Sequence, residues 1–423
     1  MSDSADFVVV GGGLGGLVLA RRLVLGGASV IVLEASETLG GTVARQIVDG
    51  IELDAGAESF ATRGGTVVSL AKSLGLGDDI VEPNSVGAWL QTARGSAFRL
   101  PENSLLGIPG SPLAIDVTAI IGTRAGWRAF LETLLPGQYA AKSETLGELV
   151  RKRMGTAVLD ELVRPIARGV HSADADDLPL DQAAPGLRGA LRSQGSLARA
   201  VLSLRESSAR AGSAVAGVRG GVFRLVDALE SDLSRFGVDV RLRTPATKLR
   251  ADGVSAGGTS ISGTVVVAAP ALLGRDHDRG HRITLATLVV DQPLLDAAPR
   301  GTGVLVAAGA PGIRARALTH STAKWRWVAE RAGGRHILRL SYDESHSDLP
   351  EVARQDAEAV LGVPIPATAI DGFARAEWYR PNRYTPTPDD IPLVGESIAG
   401  TGLASVVARS EALAGSLLTD AEG

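Results

Sequence analysis

Residues 7–16 read Phe7-Val8-Val9-Val10-Gly11-Gly12-Gly13-Leu14-Gly15-Gly16, an apolar run that stops in a cluster of glycines, and Leu17, Leu19, Ala20, Leu23 and Val24 follow at helical spacing. A strand, a tight turn and a helix are predicted in that order. Gly11, Gly13 and Gly16 occupy the three glycine positions of G-x-G-x-x-G, and each has its own steric task. The first permits the turn, the second lets a pyrophosphate approach the backbone, and the third lets the helix lie close on the sheet. A phosphate would sit at the helix N-terminus, where unpaired N–H groups and the helix dipole favour an anion. The next predicted strand, residues 29–33, ends at Glu34, 18 positions beyond Gly16. A carboxylate there accepts hydrogen bonds from a ribose diol and disfavours a 2′-phosphate, so FAD or NAD is expected in preference to NADP.

The chain around this motif has 423 residues, which leads to an expectation of two or three domains. Hydrophobic residues make up 45% and charged residues 21%, which are globular values, and a net charge of −4 offers no general attraction to nucleic acid. No apolar run reaches the roughly 20 residues that span a bilayer. The opening Met-Ser-Asp-Ser-Ala-Asp lacks the basic and apolar regions of a signal peptide, so a cytoplasmic protein is expected. There is no cysteine, so disulfides, thiolate catalysis and a cysteinyl link to a flavin are excluded. A flavin would therefore be held noncovalently.

Two further small-residue turns follow Glu34, at Gly40-Gly41 and at Gly56-Ala57-Glu58-Ser59. Backbone close to a ribityl and pyrophosphate chain suits FAD better than the shorter NAD. From about 104 to 210 the pattern becomes helical, with Trp127, Phe130, Leu131, Leu134 and Leu135 in one set and Leu146, Leu149, Val150, Met154, Leu159, Leu162 and Val163 in another. Gly220-Gly221 opens a further amphipathic helix, and the continuous run Thr264-Val265-Val266-Val267-Ala268-Ala269 suits a parallel strand covered on both faces. Strands are expected at 283–290, 303–307, 317–320, 325–328 and 337–341, forming a mixed sheet over a substrate cavity. The strand at 325–328 places Trp325 and Trp327 on one strand face. A final strand, turn and helix at 391–408 would bring a second helix N-terminus, after Gly400-Thr401-Gly402, to the cofactor.

With both ends in view, the chain resembles the FAD-dependent porphyrinogen oxidases of heme synthesis, within the wider flavin amine oxidase superfamily. The superfamily signature is Gly11 to Gly16, Glu34-Ala35, Gly40-Gly41 and Gly56 to Ser59. The narrower group is carried by Ala93-Arg94-Gly95, Leu106-Gly107-Ile108-Pro109, the stretch from Val163-Arg164-Pro165 to His171-Ser172-Ala173-Asp174, Thr319-His320-Ser321-Thr322-Ala323-Lys324-Trp325, and Leu338-Arg339-Leu340. The resemblance implies flavin contacts at Gly11, Gly12, Gly13, Leu14, Gly15, Gly16, Glu34, Ala35, Gly41, Thr42, Gly56, Ala57, Glu58, Ser59, Ala246, Trp378, Gly402 and Leu403. Ala246 replaces a usual valine, and Thr42 stands where a lysine or arginine is common. The family's segment of some tens of residues after the tryptophan is shortened here, since Trp378 reaches Gly400 almost directly.

The implied reaction removes hydrogens from a porphyrinogen in three two-electron steps, by hydride transfer to flavin N5 with O2 as acceptor and release of H2O2. Coproporphyrinogen III and protoporphyrinogen IX are both open as substrate. No side-chain catalyst or metal is required. Substrate carboxylates call for guanidinium groups, whose planar fork binds them bidentately, and the implied clamp is Arg94, with Arg99 as the local alternative. The apolar stretch 105–115 invites contact with a membrane or with a downstream ferrochelatase, against the plainer reading of a buried loop. The alternatives are another flavin oxidase or desaturase acting on an amine or polyene, and a flavin-binding homologue that has lost turnover. The expected architecture is α/β: a doubly wound, discontinuous Rossmann-type FAD domain (1–80, 211–282, 375–423), a mixed-sheet substrate domain (81–103, 283–374) and a helical insert (104–210).

Overall fold

The computed structural model describes residues 3–171, 173–210, 215–269, 272, 280–380 and 391–422. Ser172 and 381–390, both within stretches read above, lie outside the described residues. The chain forms two compact units, one of Met1–Glu82, Val215–Arg282 and Ala376–Gly423, the other of Pro83–Ala214 and Ile283–Arg375.

In the first unit six strands lie in the order Asp239–Arg241, Val30–Leu33, Ser4–Val10, Thr259–Val267, Gly253–Ala256, Ala246–Arg250. The first four are parallel and the last two close the edge as an antiparallel hairpin. Side chains alternate across the sheet. Phe7 and Val9 join the cluster that holds Leu17, Leu23, Leu229 and Val407, while Val8 and Val10 join Ile31, Leu33, Val254 and Val267 on the other face. This double burial is why the strands read as continuous apolar runs. Helices Leu14–Leu25, Arg224–Arg235 and Leu403–Glu422 cover the first face. Leu393 bridges Val267 in parallel, with Val394 N donating to Val267 O at 3.0 Å, so the C-terminal segment extends the same sheet.

A seven-stranded mixed sheet runs Ile370–Arg380, His281–Val290, His336–Tyr342, Ala317–His320, Gly303–Val306, Trp89–Gln91, Ala97–Arg99. In the second unit one face of this sheet packs on helix Leu349–Leu361, through Leu288, Leu338, Leu340, Ala353, Ala357 and Val360. The expected strand at 325–328 is instead the start of helix Arg326–Ala332. Its alternating Lys-Trp-Arg-Trp imitates a strand, but Arg326 pairs with Glu330 one turn on, and Gly333 in the left-handed region ends the helix. Trp325 is therefore buried alone, and Trp327 lies under Arg331 instead.

The helical insert has its own core, to which the second apolar set from Leu146 to Val163 belongs entirely. The first set differs. Trp127, Phe130, Leu131 and Leu134 are exposed, with Leu134 at 77%, and Ile115 on the preceding helix is 88% exposed. The 105–115 stretch divides between the two, since Ile108 and Pro109 are buried in a short hairpin with Ser104–Leu105. Glu132 and Arg153 form a fully buried ion pair at 2.8 Å. Glu132 also accepts from Ser196 Oγ and from the N–H groups of Leu197 and Ala198, capping helix Leu197–Arg210, while Arg153 donates to the carbonyls of Pro136, Tyr139 and Gly195. Every member of the pair is thus satisfied, which a buried charge requires.

A second polar chain runs from an exposed carboxylate into the sheet, where it links two strands. Asp296 Oδ1 lies 3.1 Å from His336 Nε2, and His336 Nδ1 lies 3.1 Å from His320 Nε2. A carboxylate only accepts, so neutral His336 carries its proton on Nε2 and accepts at Nδ1; His320 must then donate from Nε2. This leaves the His320 Nδ1 lone pair buried, and that atom has no hydrogen-bond partner. Burial, with the neighbouring His336 adding to it, pushes the His320 pKa down to about 3.

Candidate functional site

The first strand delivers the chain to Gly11, whose φ of +113° only glycine adopts readily. A Cβ at Gly16 would lie 2.1 Å from the Gly11 carbonyl oxygen, so the helix can start this close to the turn only with glycine there. Gly12 is constrained less severely, because its Cβ would meet Leu39 Cδ2, the end of a flexible side chain, at 2.5 Å. The motif pattern assigns Gly12 no such task, and nothing local in the sequence signals it. Gly13 is different in kind. It caps helix Leu14–Leu25 without a side-chain acceptor, no acid lies in the first turn, and a Cβ there would meet no protein atom within 4 Å. Internal packing does not explain that glycine. A ligand lying against the backbone at the helix N-terminus does, and a pyrophosphate fits both the space and the charge.

Glu34 stands beside this turn. Its Oε2 accepts from Gly12 N at 2.7 Å and its Oε1 from Ser36 N and Oγ at 2.8 and 2.7 Å. A carboxylate has about four acceptor sites, so capacity remains for a ribose hydroxyl. The exposed Ala35 follows directly. Thr244 N donates to Glu34 O, which brings the strand opening at Ala246 to the same edge. Gly40 N donates to Gly12 O at 2.8 Å, and a Cβ on Gly41 would come within 3.5 Å of Gly13 Cα. Thr42 is exposed, and its carbonyl oxygen would lie 2.0 Å from a Cβ on Gly56. Ala57, Glu58 and Ser59 follow, each partly buried.

The C-terminal segment reaches the same loop. A Cβ on Gly15 would contact Val406 Cγ1 at 3.1 Å and Gly395 Cα at 3.4 Å. Gly402, φ +103°, precedes the helix that starts at Leu403, and a Cβ on it would meet nothing within 4 Å. Trp378 is partly buried on strand Ile370–Arg380, two residues before Arg380, whose Nε lies 2.8 Å from Glu396 Oε1. Burial pushes the Glu396 carboxyl up, and the Arg380 charge opposes that shift. Asp54 is a contributor that sequence reasoning passed over. It is buried and accepts from Val222 N and Phe223 N at 3.0 and 2.9 Å, so it occupies the N-terminus of the second glycine-turn helix.

In the second unit Arg94 is 70% exposed on a turn, with Nη2 3.3 Å from Glu161 Oε1. Arg99 is exposed at the sheet edge, its guanidinium 5.8 Å from the Trp89 ring centre. Glu161 lies in a π-helical turn, Leu159–Val163, and a second such turn spans Ala167–His171. Between them Arg164 is bound by Asp160, Asp174 and Asp176, and Lys324 lies over the Trp325 ring. No group of three or more histidine or acidic residues suited to a metal occurs among the described residues.

A model of the family described as flavin containing amine oxidoreductase matches residues 14–272, more than half of the chain. Coproporphyrinogen III oxidase of Propionibacterium freudenreichii subsp. freudenreichii is 27% identical over 285 residues, 60% of this chain, but the match spans only 54% of that protein's length. Coproporphyrinogen III oxidase of Mycobacterium tuberculosis (strain ATCC 25618 / H37Rv) is 29% identical over 389 residues, covering 87% of this chain and 83% of the relative. Among solved structures, an Exiguobacterium sp. 255-15 protein provisionally named a protoporphyrinogen oxidase superposes with a TM-score of 0.84 at 23% identity over 99% of both chains. Wild-type putrescine oxidase does so with 0.65 at 18% identity, again over 99% of both. These two show the fold. The family match and the glycine cradle make FAD the cofactor. The chain belongs to the flavin containing amine oxidoreductase family.

Proposed function

We propose that this chain oxidises a porphyrinogen, coproporphyrinogen III or protoporphyrinogen IX, to the porphyrin, with noncovalently held FAD and O2 as terminal acceptor. The observation that carries this reading is the similarity to a coproporphyrinogen III oxidase across 87% of the chain. FAD, when bound, supplies hydride acceptance at N5, and three such steps remove six hydrogens as three O2 become three H2O2. Gly11 to Gly16 and the first turn of Leu14–Leu25 hold the pyrophosphate, and Glu34 holds the ribose. Ala35, Gly41, Thr42, Gly56 to Ser59, Ala246, Trp378, Gly402 and Leu403 complete the contacts.

Arg94 clamps a propionate by exchanging Glu161 for it. The Arg94 side chain is 70% exposed, so its guanidinium is open to an incoming carboxylate. Arg99, which rests on Trp89, is the second cation for the task. The segments divide the work: 1–80, 211–282 and 375–423 for flavin, 81–103 and 283–374 for substrate, and 104–210 as the face turned to partners. No helix among the described residues is long and apolar enough to cross a membrane. The exposed ridge of Ile115, Trp127, Leu131 and Leu134 supports peripheral contact of a cytoplasmic protein with a membrane or a ferrochelatase.

The test is aerobic turnover of coproporphyrinogen III beside protoporphyrinogen IX, followed by porphyrin fluorescence, with added FAD and a no-enzyme control. Enhanced formation of either porphyrin supports the proposal and names the better substrate. Bound flavin with no rate above autoxidation overturns it. That outcome favours the homologue without turnover, which the short passage from Trp378 to Gly400 supports.

A further inference from the structure

Helix Thr123–Phe130 and the 3-10 turn Leu131–Leu134 that continues it turn their apolar side outward. Trp127, Phe130, Leu131 and Leu134, spaced i, i+3, i+4 and i+7, form one stripe, which in a surface helix ordinarily faces the core, yet all four are exposed. The buried side consists of Gly126, Ala129 and Glu132. Two contacts fix this orientation. A Cβ on Gly126 would lie 2.9 Å from Thr118 Cγ2 and 3.0 Å from the Pro112 carbonyl oxygen, so the helix lies too close to the preceding segment for a large side chain to turn inward. At the other end Glu132 is tied to Arg153 and to the N–H groups of Leu197 and Ala198. The stripe is thus held outward by the fold.

The charges beside it have one sign. Between Val117 and Ser143 the exposed charged side chains are Arg124, Arg128 and Lys142, and the single acid of that stretch is the buried Glu132. Arg124 stands one turn before Trp127 and Arg128 one turn before Leu131, so both border the stripe. Arg128 donates to the carbonyls of Lys152 and Arg153, neutral acceptors that leave its charge in place. The flanking Asp116 accepts from the N–H groups of Val117 and Glu102. A local excess of cations on a chain of net charge −4 calls for an anionic occupant, and the protruding aromatic pair Trp127–Phe130, ring centres 5.7 Å apart, calls for an apolar one. A bilayer with acidic lipids offers both, an apolar phase directly behind a layer of negative charge. Three helical turns fall far short of the roughly 20 residues that cross a bilayer, so the helix would lie in the interface, where tryptophan is favoured.

We propose that the helical insert docks on the surface of an anionic bilayer through this helix, with Trp127, Phe130, Leu131 and Leu134 at the acyl boundary and Arg124, Arg128 and Lys142 against the lipid phosphates. The inference rests on the reading of 104–210 as the face turned to partners, and it narrows the choice left there to acidic lipid.

The full-length, FAD-loaded protein is mixed with extruded vesicles of phosphatidylcholine alone, or of phosphatidylcholine and phosphatidylglycerol in equal parts. Binding is read by co-sedimentation and by quenching of tryptophan emission with lipids brominated in the acyl chain. Saturable binding to the mixed vesicles, much weaker binding to phosphatidylcholine, and quenching that Trp127→Ser reduces are expected. Trp127→Ser/Leu134→Ser should weaken binding at least about tenfold, through the apolar surface lost. Arg124→Glu/Lys142→Glu should weaken it several-fold at low salt and less at high salt, and Arg326→Ala, an exposed change elsewhere, not at all. Because these side chains are exposed, flavin content and Tm should match wild type. Absence of binding to the mixed vesicles, equal binding to both kinds, or binding that the apolar double variant leaves unchanged overturns the proposal. Self-association in sedimentation velocity that the apolar double variant abolishes, without vesicle binding, also overturns it and assigns the stripe to a second copy. No porphyrinogen is present, so failure here leaves the oxidase reading standing, and absence of turnover leaves this result standing.

Discussion

Substituting His320 by glutamine should abolish a defined part of the protein's acid sensitivity. In the fold His320 titrates at about 3, against 6.5 for an unperturbed imidazole. Protonation must occur at Nδ1, the buried atom with no partner, because Nε2 already donates to His336. A lowered native pKa means that the unfolded chain binds the proton more readily. Stability present above pH 6.5 is therefore lost progressively as the pH falls from 6.5 toward 3. At pH 4.5 the unfolded imidazole is almost fully protonated and the native one almost fully neutral. The loss between pH 7.5 and 4.5 is then about 2.7 kcal/mol, two pH units at 1.36 kcal/mol each. Because pH 4.5 lies above the native pKa, the figure hardly changes if that value is moved by a unit. Glutamine keeps an N–H near the Nε2 position to donate to His336, and it does not titrate. Urea unfolding of wild type and His320→Gln at both pH values is the assay, read by tryptophan fluorescence. Four of the five tryptophans, Trp89, Trp127, Trp325 and Trp327, lie in the same unit as His320. Any fixed cost of the substitution cancels in the difference between the two pH values. Wild type should lose about 2.7 kcal/mol more than the variant; a gap that does not change with pH would refute the reasoning.

Other outcomes follow from the cradle and the insert. Gly13→Val should leave folding intact, since no protein atom lies near its Cβ, but yield protein without flavin absorbance. Gly16→Ala acts the other way, forcing Cβ against the Gly11 carbonyl, and should destabilise the fold by about 1–3 kcal/mol in denaturant titrations. Glu34→Ala should weaken FAD binding roughly 10- to 100-fold by flavin fluorescence, because a charged acceptor is lost. Glu132→Ala strands the buried Arg153 and uncaps helix Leu197–Arg210, and should cost about 3–5 kcal/mol, seen as a clear fall in Tm.

The nucleotide-binding half was legible because its signals are local. The apolar strand, the glycine turn, the helix and Glu34 lie within residues 7–34, and each restricts the next. The helical set from Leu146 to Val163 read correctly for the same reason, its apolar spacing being local on either side of the break at Gly155. Failures came where the deciding partner was remote or the pattern ambiguous. Asp54 finds its donors 168 and 169 residues away, and no window in the sequence contains both ends. Glu132 is similarly blind to Leu197. Lys324 to Val328 alternate like a strand, yet the Arg326–Glu330 pair and Gly333 settle a helix. Strand Ile370–Arg380 escaped notice because its residues alternate only between exposed and half-buried. Gly12 looked like a spacer until Leu39 was seen beside it.

The Asp54 bonds also set a schedule for biogenesis. Strand Ser4–Val10 leaves the ribosome early and pairs on one side with Val30–Leu33, but its other edge waits for Thr259–Val267. The bonds from Val222 N and Phe223 N to Asp54 likewise wait until those residues are made, 168 and 169 residues later. At about 5–20 residues per second that interval lasts roughly 10–30 s. During it, a strand whose second half, Phe7 to Val10, is entirely apolar presents an open edge of N–H and C=O groups, the template on which other chains pair. The nascent N-terminal segment is therefore the part of this protein with the greatest need of a chaperone, and slower translation through the insert should lower soluble yield before it affects any property of the finished fold.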